Sequence, residues 1–109
     1  MHLDNEITAL ELKRRLDRGQ DIQIIDVREP HEFAIARLPD SKLIPLAQVA
    51  ERASEIDPDR VTVVHCKAGI RSAKAIAALQ QAGFTGRLLN LKGGILAWSS
   101  DVDPTLTTY

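Results

Sequence analysis

The spacing of apolar positions changes several times along the chain, and each change marks an element. In "TALELKRRLDRG", residues 8–19, Leu12 and Leu16 stand four apart among charged residues, Glu11 follows Thr8 at the third position, and Gly19 closes the run. A cap, a helical period and a glycine stop together predict an amphipathic helix. "DIQIIDVRE" then crowds Ile22, Ile24, Ile25 and Val27 into one short run, which predicts a strand buried on both faces, the habit of parallel sheets. Asp26 and Arg28 fall at its carboxyl end. A short helical piece over residues 30–35 leads into "ARLPDSKLIPL", whose two prolines permit only a short strand near Leu43 and Ile44. "AQVAERASEI" reads as a further helix, ended by Asp57 and Pro58.

The second half is more regular. "VTVVHC", residues 61–66, is a β-branched strand; "RSAKAIAALQQAGF" is the strongest helical pattern in the chain and is closed by Gly83; "RLLNL" is a strand and "GILAWSS" a last helix. Strands alternating with helices of this length predict an α/β fold with a mostly parallel sheet covered on both faces. The 109 residues form one expected domain. Residues 1–5 and an extended tail over 101–109 are expected to be less ordered than the rest.

Composition narrows the function classes. The chain is 44% hydrophobic and 27% charged, with no long apolar run and no signal-peptide pattern, so the expectation is a soluble cytoplasmic protein without a membrane partner. Its net charge of −1 hides an asymmetry. Residues 1–60 carry nine Lys/Arg against thirteen Asp/Glu, whereas residues 61–100 carry five (Lys67, Arg71, Lys74, Arg87 and Lys92) against none. Such a stretch is either a solvated face or a setting for an anion. Five charges without an aromatic platform make a poor nucleic-acid footprint, so no nucleic-acid partner is expected.

Cys66 is the only cysteine, which excludes an internal disulfide, and with three scattered histidines it excludes an ordinary zinc site; no metal and no cofactor is expected. A lone thiol is usually a small buried hydrophobe. This one ends a strand and begins the turn "CKAGIRS", where a parallel sheet gathers its ligands and a loop aims backbone N–H groups inward. Gly69 permits an unusual backbone conformation, Ala68 leaves the loop centre open, and Arg71 and Ser72 open the following helix. Amides from Lys67 to Arg71, the helix dipole and the charges of Lys67 and Arg71 should all favour a thiolate. His65, the neighbouring residue, points to the opposite face of its strand.

"DVRE" at residues 26–29, "CKAGIRS" at 66–72 and "KGGILAW" at 92–98 resemble, in order and spacing, the rhodanese (sulfurtransferase) homology domain. The resemblance covers nearly the whole chain. It implies a rhodanese-like three-layer fold, a five-stranded, mainly parallel sheet with helices on both faces. It also implies that Cys66 alternates between thiolate and persulfide within a loop of Lys67, Ala68, Gly69, Ile70, Arg71 and Ser72. Thiosulfate or a protein persulfide would be the donor; a thiol, cyanide or a sulfur-carrier protein would be the acceptor. Four residues separate Cys66 from Arg71, as in the sulfurtransferases, whereas the related phosphatases have five. Lys67 departs from the glycine-and-serine loop of mercaptopyruvate-specific relatives.

A narrower likeness links "EFAIARLPDSKLIPL" and the closing "NLKGGILAWSSDVDPTLTTY", including the last Asp-Pro and final tyrosine, to the C-terminal domain of molybdopterin-synthase adenylyltransferase and sulfurtransferase proteins. That likeness implies a ubiquitin-like sulfur carrier as acceptor, in molybdopterin- or thiamine-type biosynthesis. It also implies an adenylyltransferase domain in a longer parent, of which this chain is either the tail or a stand-alone cousin. Where the family commonly reads Gly-His-Ile-Pro-Gly-Ala, this chain has Ala36, Arg37, Leu38, Pro39, Asp40 and Ser41. Arg37 agrees with the narrower likeness, while Asp40 stands where glycine is usual. Asp26 is expected to support the loop. Arg28 either pairs with Glu29 or Glu32 or adds to the field over Cys66. Arg71 is expected to close the loop and to reach its carbonyls or a bound anion, and Trp98 is expected in the core. Two other readings stay open: a cysteine phosphatase or arsenate reductase, and a non-catalytic docking module.

Overall fold

The computed structural model describes residues 5–107. The elements run β1 (Glu6–Ile7), α1 (Ala9–Asp17), β2 (Ile22–Asp26), α2 (Pro30–Ile35), β3 (Ser41–Leu43), β4 (Val61–His65), α3 (Ile70–Gln81), β5 (Leu88–Leu91) and α4 (Gly94–Asp101). The five strands form one sheet in the order β1-β5-β4-β2-β3, and every pairing is parallel. β4 lies at the centre of the sheet. Ile24 faces Val63 and Asp26 faces His65 across the β2–β4 ladder, while Val64 faces Asn90 on β5.

Strand alternation divides the core in two. Ile22, Ile24, Val63, Leu89 and Leu91 join Ala9 and Leu12 of α1 and Ile95 and Trp98 of α4 on one face. Ile25, Val27, Val64, Cys66 and Leu88 join Ala75 and Leu79 of α3, with Val49 and Ile56, on the other. Each fully buried aliphatic side chain contributes about 1.5–3 kcal/mol, so this double coverage explains the crowded strand sequences. The first helix begins as its pattern requires, with the Thr8 hydroxyl accepting the Glu11 amide at 3.1 Å.

Three features depart from expectation. The stretch "AQVAERASEI" is not a helix but two 3-10 turns, Leu46–Gln48 and Ala53–Glu55. Neither turn has a side-chain cap, and the segment sinks only Val49 and Ile56 fully, so no continuous apolar stripe rewards an α-helical path. The edge strand β1 is two residues long and owes its existence to pairing with Asn90 and Leu91, a distant contact that no periodicity reveals. Finally, residues 101–107 are not extended. Asp101 closes α4, the amides of Val102 and Asp103 both reach the Trp98 carbonyl at 2.9 Å, Asp103 caps a turn at Thr105, and Leu106 packs on the core. Residues 1–4, expected to be less ordered, and the final Tyr109 lie outside the described residues. Asp40 takes φ +55°, the left-handed turn conformation that glycine usually supplies and that aspartate tolerates better than most residues. None of the described helices is long and apolar enough to cross a membrane.

Candidate active site

Cys66 is the first residue past the central strand, and its side chain lies on the α3 face, opposite His65. The chain then turns sharply: Gly69 caps α3 with φ +114°, a conformation that brings its amide back toward the sulfur. The Gly69 N–H donates to Cys66 Sγ at 3.0 Å, and the Ser72 hydroxyl lies 3.4 Å from the same sulfur. Burial pushes the Cys66 thiol up. Hydrogen bonds from the Ser72 hydroxyl and from the amides of Ser72, Gly69 and Ala68 outweigh that and hold it below the ordinary thiol value. The thiolate is thus favoured by close hydrogen bonds, with the loop's cations secondary to them.

Residues that the sequence did not single out hold this cradle in place. Asn90 of β5 accepts from the Ser72 hydroxyl at 2.6 Å and donates to the Gly69 carbonyl at 3.2 Å. The first turn of α4 seats on the back of the loop: the Ile95 amide reaches the Cys66 carbonyl at 2.9 Å and the Leu96 amide reaches that of Lys67 at 3.2 Å. Gly94 makes that approach possible, since a Cβ there would lie 2.4 Å from the Lys67 oxygen and 2.5 Å from the Cys66 oxygen. Asn90 was marked by a weak signal, a polar residue within a buried strand run.

Arg71 is bidentate to Glu32 of α2, at 2.6 and 2.9 Å, which ties the loop end to a neighbouring helix. The carboxylate partner was hidden from the sequence by a separation of 39 positions. Glu32 is itself buried and completes a capping box with Glu29. Ile70, at 71% exposure, stands at the rim with Ala68, and Lys67 is half-buried.

On the other face lies a buried polar group. Arg28, fully buried, donates through Nε and Nη2 to both oxygens of Asp26, at 2.6–3.1 Å, and through Nη2 to the Ala36 carbonyl at 2.6 Å. Its charge is thus matched by Asp26, a pairing different from the two that the sequence offered. His65 Nδ1 donates to the Cys66 carbonyl at 3.2 Å, because a carbonyl can only accept; Nε2 lies 3.6 Å from Asp26 Oδ2. Burial holds His65 below the ordinary histidine value, against the opposing pull of Asp26. Arg37 lies apart from this cluster, exposed and stacked 4.7 Å over the Phe33 ring.

Comparison with known proteins agrees with this geometry. The family model described as "Rhodanese-like domain" matches residues 8–101. A protein named "Sulfurtransferase" from Allochromatium vinosum is 43% identical over 95 residues, covering 87% of this chain and 88% of that protein. A "Probable adenylyltransferase/sulfurtransferase MoeZ" of Mycobacterium tuberculosis is 40% identical over 105 residues, covering 94% of this chain but only 26% of that protein. Among solved structures, a rhodanese-like domain protein from Staphylococcus aureus superposes with a TM-score of 0.81 at 31% identity, covering 96% of this chain and 98% of that one. The family model matched over residues 8–101, together with 43% identity to a relative covered over 88% of its length, shows that the chain belongs to the rhodanese-like domain family.

Proposed function

We propose that this domain is a sulfurtransferase that carries sulfane sulfur as a Cys66 persulfide. The supporting observation is the cradle itself: an amide 3.0 Å from the sulfur and a hydroxyl at 3.4 Å, with no carboxylate bonded to the sulfur among the described residues. A persulfide anion needs several donors and little acid–base machinery, and backbone amides supply them. The Cys66 thiolate attacks the sulfane sulfur of thiosulfate or of a protein persulfide. The donor's S–S bond breaks, and sulfite or the donor thiolate leaves with the electron pair. An acceptor nucleophile (a thiol or cyanide) then attacks the terminal sulfur and returns Cys66 as thiolate; toward a sulfur-carrier protein whose C-terminal carboxylate has been activated as an acyl-adenylate, the persulfide is itself the nucleophile, AMP leaves, and a thiol reductant cleaves the resulting acyl disulfide to release the thiocarboxylate and Cys66. The likeness to the M. tuberculosis protein supports an adenylyltransferase partner domain, in a longer parent or as a separate chain. The four-residue spacing between Cys66 and Arg71 weighs against a phosphate substrate.

The test is the intact mass of the protein after incubation with thiosulfate and desalting, beside Cys66→Ser. A gain of one sulfur atom that a reductant reverses and the variant lacks is the expected result. If neither thiosulfate nor a persulfide donor adds sulfur to Cys66, the proposal fails and the docking-module reading replaces it.

A further inference from the structure

The Ser72 hydroxyl has two neighbours able to take its one hydrogen. Asn90 Oδ1 lies at 2.6 Å and Cys66 Sγ at 3.4 Å. The amide of Asn90 is oriented, since its Nδ2 donates to the Gly69 carbonyl at 3.2 Å and so turns Oδ1 toward Ser72. A hydroxyl carries a single donor hydrogen, and the shorter contact claims it. While Cys66 is a neutral thiol, the order is therefore Sγ–H to Ser72 Oγ and Ser72 O–H to Asn90. When the sulfur ionises, the hydroxyl can turn its hydrogen onto the thiolate only by giving up the bond to Asn90.

We propose that Asn90 is a positioning residue that competes with Cys66 for the Ser72 hydrogen and so moderates how readily the cysteine ionises. This rests on the reading of Cys66 as a thiolate nucleophile and extends it to a residue on a different strand. Asn90 touches neither the sulfur nor a reacting atom; it acts through Ser72. The competition serves transfer in both directions. A thiolate too strongly stabilised is a poor nucleophile toward the donor, whereas one that leaves well must be stabilised when the acceptor removes sulfur. By holding part of the claim on the hydroxyl hydrogen, Asn90 sets a stabilisation intermediate between these two needs.

The other charged groups around Cys66 are Lys67 and Arg71 of the loop, Glu32 of α2 on Arg71 and Lys92 after β5. On the opposite face are His65 with Asp26 and Arg28. All are unchanged in the comparison that follows. Because Cys66 is the only cysteine, its ionisation is read directly as the far-ultraviolet thiolate absorbance titrated against pH, with no need for sulfur transfer. Four proteins are titrated: the parent, Ser72→Ala, Asn90→Ala and the double variant.

Ser72→Ala should titrate at higher pH, because it loses a donor to the thiolate. Asn90→Ala should move the opposite way, giving roughly fivefold more thiolate at a fixed pH below the midpoint, the worth of one freed hydrogen bond. In the double variant the Asn90 effect should vanish. A downward shift from Asn90→Ala that persists without Ser72, or an upward shift in the presence of Ser72, overturns the proposal, since a loosened loop would act regardless of the hydroxyl. Asn90→Ser, which keeps a small polar group on β5, repeats the cycle if Asn90→Ala does not fold. Failure of the mass experiment would leave this titration standing, so the two readings fail separately.

Discussion

Gly94 offers the most direct test of how the last helix holds the loop. Its φ is +59°, and a Cβ would meet the backbone oxygens of Lys67 and Cys66 at 2.4 and 2.5 Å, distances that real Cβ atoms do not adopt. Gly19 is the control: its φ is +78°, yet a Cβ there meets nothing within 4 Å. An alanine in left-handed backbone costs about 1–2 kcal/mol, part of which is offset by a stiffer unfolded chain, so Gly19→Ala should lose about 1 kcal/mol. Gly94→Ala carries the same strain. In addition, α4 must withdraw from the two carbonyls, breaking the Ile95–Cys66 and Leu96–Lys67 bonds, and leaving those groups unpaired at about 1–1.5 kcal/mol each. The total is about 3–4 kcal/mol, or a fall in Tm of about 12–16 °C for a domain of this size. Urea unfolding followed by fluorescence of Trp98, the single tryptophan and a buried one, measures both variants on the same probe. A difference between the two variants below about 1 kcal/mol would refute the seating of α4 on the loop. The same Gly94 variant should lose sulfur uptake at Cys66, while Gly19→Ala should keep it.

Two further outcomes follow from the buried charges. His65 is held neutral by burial, so on acidification the unfolded chain takes up a proton that the folded protein refuses; stability should fall as pH drops below about 6.5, and His65→Gln should flatten that slope in urea titrations between about pH 7 and 5. Arg71→Ala strips the bidentate partner from nearly buried Glu32 and should destabilise the domain by about 2 kcal/mol, less than for a fully buried pair because the Arg71 side chain is 34% exposed. Adding Glu32→Gln should restore about half of that loss, and a purely additive double variant would show that the pair is not coupled.

The layer order of this protein was legible because its strands are buried on both faces and its helices carry caps and stops. The runs around Ile22 to Val27 and Val61 to Cys66 admit few other readings, and the lone cysteine at the end of the second marked the candidate site. What local pattern could not convey were choices made by distant contacts. Two apolar anchors, Val49 and Ile56, pulled a helix-like stretch into 3-10 turns, and Glu6 and Ile7 became a strand only by lying against β5. The same holds within the site. Residue identity and spacing determined that Cys66 enters a short, glycine-containing loop at the head of a helix. Only the tertiary structure decided what surrounds it: Arg71 turned to Glu32, Arg28 folded inward onto Asp26, Ser72 bound to Asn90, and α4 seated on the carbonyls behind the sulfur. The physical reason is range. Caps, periods and strand alternation act within a few residues, whereas a buried polar group must find whichever partner the fold brings within hydrogen-bond distance, and that partner can lie anywhere in the chain.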